Sequence, residues 1–164
     1  MTQIPPVSAA LTALAIPHRL FAHTHPVHSL EQAAAERGQV PDQVIRSLLF
    51  RLGEGDFVMA LVAGPGQISW KALRAHMGQS RLTMAERDEV LRVTGYPIGA
   101  VAPFGMPQAV PILVDPSVTV HAEISLGSGI RNTAVILASA DLLRALGKAQ
   151  SAHRAKLDVV DLLE

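Results

Sequence analysis

Apolar residues recur at helical spacing over 8–14, and Pro17 stops that helix. A short strand can follow over 18–22. Ser29 with Gln32 three residues later forms a capping-box pattern, opening an Ala-rich helix that Gly38 ends. The pattern then turns to β. Runs at 44–52 and 57–62 are joined by Gly53, Glu54, Gly55 and Asp56, a hairpin signature. Ser69 caps a helix through His76. Thr83 with Glu86 reads as a second capping box, opening a helix to about Val93. Strands are expected at 110–114, 118–124 and 133–137. Ser139 caps a helix to Leu146, and 157–160 forms the last strand. Hairpins mix with helical crossovers, without the regular strand–helix alternation of a doubly wound fold. The order predicts an α+β fold around a mixed, largely antiparallel sheet.

Composition narrows this picture. A chain of 164 residues is most simply one domain, here residues 1–164, and is long enough to bury a real core. Hydrophobic residues make up 49% of it and aromatics 4%, so the core must be built from Leu, Val, Ile and Ala. Cysteine is absent, which excludes disulfides, thiol chemistry and thiolate zinc and fits a cytoplasmic setting. The first residues lack a basic segment followed by a long apolar one, and no apolar run reaches membrane-spanning length. Fourteen basic residues balance fourteen acidic ones. That balance argues against a protein that wraps duplex DNA, but it leaves room for a local basic patch that grips a few nucleotides.

Candidate chemistry concentrates in three places. Gly95 to Gly105 holds three glycines and two prolines in eleven residues, with no nucleophile or strong base. Such a loop offers fixed backbone N–H groups, suited to a ligand carbonyl or a developing oxyanion; an ordinary strand connection has the same composition. Gly127, Ser128 and Gly129, followed by Arg131 and Asn132, can form a backbone anion nest or a simple turn. Arg46 lies within the apolar strand Val44-Ile45-Arg46-Ser47-Leu48-Leu49, where alternation sets it with Val44 and Leu48. A charge there is costly unless it serves a site or lies at a sheet rim. Ser47 has no elbow motif and reads as a positioning group. His23, His25 and His28 are too irregularly spaced for a metal site, so neither metal nor cofactor is expected. Trp70 and Tyr96 are too few for a stacking platform along a nucleic-acid strand.

The Asp42-Gln43-Val44-Ile45-Arg46-Ser47-Leu48-Leu49 strand, the G-x-x-x-P element from Gly99 to Pro103 and the Gly/Ser turn, in this order, resemble the YbaK/prolyl-tRNA-synthetase-associated domain family. These are free-standing or synthetase-inserted aminoacyl-tRNA deacylases, and the resemblance runs over about 20–146. It implies a curved mixed sheet flanked by helices, and hydrolysis of a small mischarged amino acid such as Ala, Ser, Cys or Pro from tRNA. The implied partners are the aminoacyl-tRNA acceptor end and an aminoacyl-tRNA synthetase. The catalytic elements would be Arg46, Gly99, Ala100, Val101, Ala102 and Pro103. His25, Ser47, Phe104, Gly105, Gly127, Ser128, Gly129 and Arg131 would contact substrate. Two departures bear on activity: the family usually has Lys where this chain has Arg46, and some members carry Asp where it has Ala134. An arginine cannot serve as a base, so Arg46 implies an anchoring role; a binding module without hydrolysis is the alternative.

Overall fold

The computed structural model describes residues 3–164. Helix α1 (Pro6–Ala13) precedes β1 (Arg19–Ala22) and α2 (Leu30–Glu36). The hairpin β2 (Ile45–Leu52) and β3 (Asp56–Ala63) leads into α3 (Trp70–Met77), β4 (Leu82–Met84) and α4 (Arg87–Thr94). Then come β5 (Ile112–Val114), β6 (Glu123–Gly127), β7 (Thr133–Ala138), α5 (Ser139–Ala152) and β8 (Leu157–Val159). The fold is α+β, as the pattern implied. Strands β1-β7-β6 form an antiparallel sheet, and β4-β2-β3-β5-β8 a mixed one in which β3, β5 and β8 run parallel. A parallel bridge between Val44 and Ser125 connects the two sheets.

The hairpin β2–β3 is the centre. In β3 every residue after Asp56 is buried, because apolar layers cover both faces. Met59 and Leu61 join Ile45, Leu49, Leu142 and Leu146 in the larger core. Val58, Ala60 and Val62 join Phe50, Leu52 and Leu73 in the smaller one. The Ser29 hydroxyl accepts from the Gln32 N–H at 3.0 Å, as the capping pattern predicts. Gln32 Oε1 reaches one residue further back than expected, to the His28 N–H at 2.9 Å. Ser69 caps α3 by accepting from the Ala72 N–H at 3.1 Å.

Three expected elements differ. Thr83 does not cap a helix: β4 (Leu82–Met84) pairs with Phe50 to Leu52, and the Ala85 N–H donates to the Leu49 carbonyl at 3.0 Å. The helix starts at Arg87 instead, and Glu89 Oε1 accepts from the Glu86 N–H at 2.9 Å. Cross-strand bonds satisfied a backbone that the local pattern would have made helical. The strand expected at 118–124 begins only at Glu123. Before it, Pro116–Thr119 forms a 3₁₀ turn. The turn is held by buried Asp115, which accepts from the Ser117 N–H at 2.8 Å and the Leu162 N–H at 2.7 Å. Finally, α5 continues past Leu146 to Ala152 through Gly147, with Ser139 as its first residue and Ala138 outside it.

Buried Tyr96 organises the two Gly-rich loops. Its hydroxyl donates to the Phe104 carbonyl, and its ring lies against Gly129. A Cβ on Gly105 would lie 2.5 Å from the Tyr96 hydroxyl, and one on Gly129 2.8 Å from the ring, at φ +72° and +93°. Gly105→Ala and Gly129→Ala should each destabilise the fold by about 1–3 kcal/mol, read as a lowered Tm. Gly99 also has positive φ, +96°, but open space where a Cβ would stand. Gly99→Ala should cost only about 1 kcal/mol.

Candidate functional site

The site follows from how β2 is paired. Along one edge it matches β3 from Ile45↔Ala63 to Leu52↔Asp56. Along the other, β4 pairs with Phe50 to Leu52, and β6 is bridged to the chain just before β2, at Val44. Between these ends a cleft of about 520 Å³ opens. Arg46 to Leu49 form its floor, α2 one wall, and the start of the Gly-Pro loop with Met84 the other. Met84 and Ile98 stay about half exposed, giving the mouth an apolar rim.

Among the cleft-lining residues three are charged by ordinary standards, Arg37, Arg46 and Arg131, and none is acidic. A chain of zero net charge therefore concentrates positive charge where a ligand would enter, and low-dielectric walls strengthen that field. Arg46 Nε donates to the Gly64 carbonyl at 2.8 Å, and Nη2 donates to the Gly66 carbonyl. Both acceptors are neutral, so the charge stays uncompensated. Partial burial shifts its pKa downward.

Arg37 was not singled out by the sequence, where Glu36-Arg37-Gly38 reads as a polar helix end. In the fold it is largely enclosed, and burial lowers its pKa to about 10, still a cation at neutral pH. Its Nη1 donates to Ser125 Oγ at 2.9 Å and its Nε to His23 Nε2 at 3.1 Å. Arginine can only donate, so His23 Nε2 must accept and the ring proton sits on Nδ1, 2.7 Å from Glu36 Oε1. Ser125 in turn donates to Gln39 Oε1 at 2.7 Å. The chain Glu36–His23–Arg37–Ser125–Gln39 fixes a cation at the α2 wall of the cleft and leaves His23 no free acceptor.

The expected site residues separate into two groups. Arg46, Ser47, Gly99, Val101, Gly127 and Arg131 line the cleft together. The Ser47 hydroxyl is buried without a hydrogen-bond partner among the described residues. His25 is exposed and off the cleft wall. Ala100 and Ala102 are buried. Pro103, Phe104 and Gly105 line a separate cavity of about 300 Å³ against α1 and α5. The Ala100 N–H is bound to Pro97 at 3.0 Å, which removes it from the donors the loop could offer. The Gly127–Gly129 turn does not present a nest. The Gly129 N–H donates to the Ala100 carbonyl at 3.1 Å, the Ile130 N–H to Ser128 Oγ at 3.2 Å, and Ser128 itself is buried. Gly127 has a packing reason instead: a Cβ there would meet the Val101 carbonyl at 2.7 Å. Among the described residues no three His, Asp or Glu side chains converge as metal ligands, and no helix is long and apolar enough to cross a membrane.

The α+β fold thus carries a cleft whose lining holds three arginines and no acidic residue. The aminoacyl-tRNA editing domain model matches residues 24–145, most of the chain, and the chain belongs to that family. It is 40% identical over 89 residues to a proline–tRNA ligase of Kosmotoga olearia, covering 54% of this chain and 15% of that one. It is 31% identical over 106 residues to a proline–tRNA ligase of Trichlorobacter lovleyi, covering 65% and 18%. The chain thus spans under a fifth of the length of these relatives. A solved structure described as a candidate trans-editing enzyme for prolyl tRNA synthetase superposes with a TM-score of 0.82 at 25% identity, covering 97% of this chain and 95% of that one.

The network also sets a pH response. The His23 hydrogen bond, then that from Gln32, holds the Glu36 carboxyl below its ordinary 4.5. The unfolded chain therefore takes up this proton first. The stabilisation is complete above about pH 4.5 and is lost as pH falls through the folded value. Glu36→Gln should flatten the acid limb of a Tm-against-pH curve and leave the limb above pH 4.5 parallel to the parent.

Proposed function

We propose that this protein is a trans-acting aminoacyl-tRNA deacylase that removes a small mischarged amino acid, such as Ala, Ser, Cys or Pro, from tRNA. The observation that carries the reading is the cleft: three arginines, no acid and a glycine lip, in a member of the aminoacyl-tRNA editing family. A synthetase pocket discriminates against a smaller or isosteric amino acid by only about two orders of magnitude, so a second, hydrolytic sieve has a purpose. Water would attack the ester carbonyl, the bond to the ribose oxygen would break, and that oxygen would take up a proton. No side chain lining the cleft offers a free basic acceptor. The proton path in this reading runs through bound water and the neighbouring ribose hydroxyl. Arg37, Arg46 and Arg131 would hold terminal phosphates, while Gly99 and Val101, which line the cleft, would offer main-chain N–H groups to the carbonyl. Reading the protein as acting in trans, beside a synthetase, draws on the structural neighbour.

One observation favours a second reading, a binding module for aminoacyl-tRNA or a nucleotide ligand without hydrolysis. Arg46 replaces the family's usual lysine, and its guanidinium is already engaged by two backbone carbonyls.

Deacylation of a panel of mischarged tRNAs, with binding measured on the same preparation, separates the two. The deacylase reading expects ester loss well above the spontaneous rate for at least one small amino acid; binding with no rate above background establishes the module. Arg46→Ala should weaken tRNA engagement and rate by roughly ten- to a hundredfold, since a charge-assisted bond contributes about 1.5–3 kcal/mol. Arg46→Lys should retain much of both. Unchanged affinity and rate in Arg46→Ala would remove the anchor.

A further inference from the structure

Residues 23–29 join β1 to α2 and contain neither helix nor strand. Main-chain groups outside regular elements need hydrogen bonds from side chains, other backbone or water. Two residues supply several of them here. From α2, Gln32 Oε1 accepts from the His28 N–H at 2.9 Å, and its Nε2 donates to the Pro26 carbonyl at 3.2 Å. From the other side, Asn132 grips the segment twice. Its main-chain carbonyl accepts from the His23 N–H at 2.8 Å. Its side-chain Oδ1 accepts from the Val27 N–H at 3.1 Å, across 105 residues of sequence. The facing atom must be the amide oxygen, because a main-chain N–H can only donate.

Asn132 does this from a left-handed backbone, φ +62°. Asparagine enters that region far more readily than most residues. The sequence placed Asn132 beside an anion nest, which the turn does not form. Its side chain instead fixes the main chain of Val27. Val27 is partly buried and lines the cleft, as do His23, Leu30 and Asn132 itself. A β-branched side chain is stiff at χ1. Once its backbone is held, Val27 presents a fixed surface to whatever enters.

We propose that Asn132 is a positioning residue for the amino-acid subsite: by clamping Val27 it makes that side chain a rigid wall, which sets the upper size of the acyl group admitted. This rests on the reading that the cleft takes an aminoacyl-tRNA end, and it names what would enforce the small-substrate limit. The arginines of the cleft suit phosphates, so an aminoacyl side chain falls to the apolar lining to which Val27 belongs. A size limit needs a wall that does not yield. One methylene in a hydrophobic pocket is discriminated by only about ten- to two-hundredfold, and a wall free to move back gives that up.

The test compares the intact parent chain with Asn132→Gly, which keeps the left-handed backbone and deletes the clamp, and Asn132→Asp, which keeps an acceptor oxygen. Two stable amide analogues serve as probes, 3′-(L-alanylamino)-3′-deoxyadenosine and its L-leucyl counterpart. The parent should bind the alanyl analogue at least about tenfold more tightly than the leucyl one. In Asn132→Gly the Val27 N–H should exchange about three- to tenfold faster by NMR, and the affinity ratio should fall by a similar factor. Asn132→Asp should retain both to within about twofold. Val27→Ala should also relax the ratio. Because Asn132 acts through Val27, adding Asn132→Gly to Val27→Ala should relax it no further. Unchanged Val27 exchange in Asn132→Gly overturns the clamp. Faster exchange with an unchanged ratio overturns the positioning role, as do additive effects in the double variant. A parent that binds neither analogue, or both equally, also overturns the inference. Deacylation of alanyl- and leucyl-tRNA is scored separately. A parent that prefers the alanyl analogue but hydrolyses neither ester overturns the deacylase alone, and the affinity ratios still decide the role of Asn132.

Discussion

The pairing of β2 governs the rest of this structure. A strand satisfied along both edges is inert, and one open along an entire edge invites aggregation. β2 pairs with β4 at Phe50 to Leu52, is bridged to β6 just before its start at Val44, and lines a cleft with the residues between. Arg46 to Leu49 form the floor of that cleft, and its walls are the elements that pack on either side of β2.

The shape of the cleft depends on close backbone contact elsewhere. Gly127 ends β6 where a Cβ would meet the Val101 and Ala100 carbonyls at 2.7 and 3.1 Å. The Gly-Pro loop can therefore lie directly against β6, and Tyr96 ties its far end to Phe104. The loop thus has two sides with different jobs. Ile98, Gly99 and Val101 meet the cleft, while Pro103 to Gly105 meet α1 and α5.

Electrostatics complete the site. Arg37 and Arg46 are both oriented by neutral acceptors rather than carboxylates, so each remains available to an anion. Enclosure makes such a cation costly in the absence of ligand, as the lowered Arg37 pKa records. That cost is offset by the five-residue polar chain that runs from Glu36 to Gln39.

Periodicity and turn chemistry alone determined the β2–β3 hairpin, the α2 and α3 caps and the α+β class, because each rests on contacts between residues near in sequence. The ordered motifs around Arg46, Gly99–Pro103 and Gly127 carried the family. Local pattern failed where distant backbone took over: at Thr83, claimed by β2, and at 118–124, where Asp115 ties a turn to Leu162. Tertiary structure decided which candidates face one another. It set Arg37 beside Ser125, 88 residues away, turned Pro103 to Gly105 to the other side of the loop, and left the Ser47 hydroxyl without a partner. A sequence states that a residue can donate and accept, but whether those groups are already taken depends on which strands arrive alongside, and that is a property of the assembled sheet.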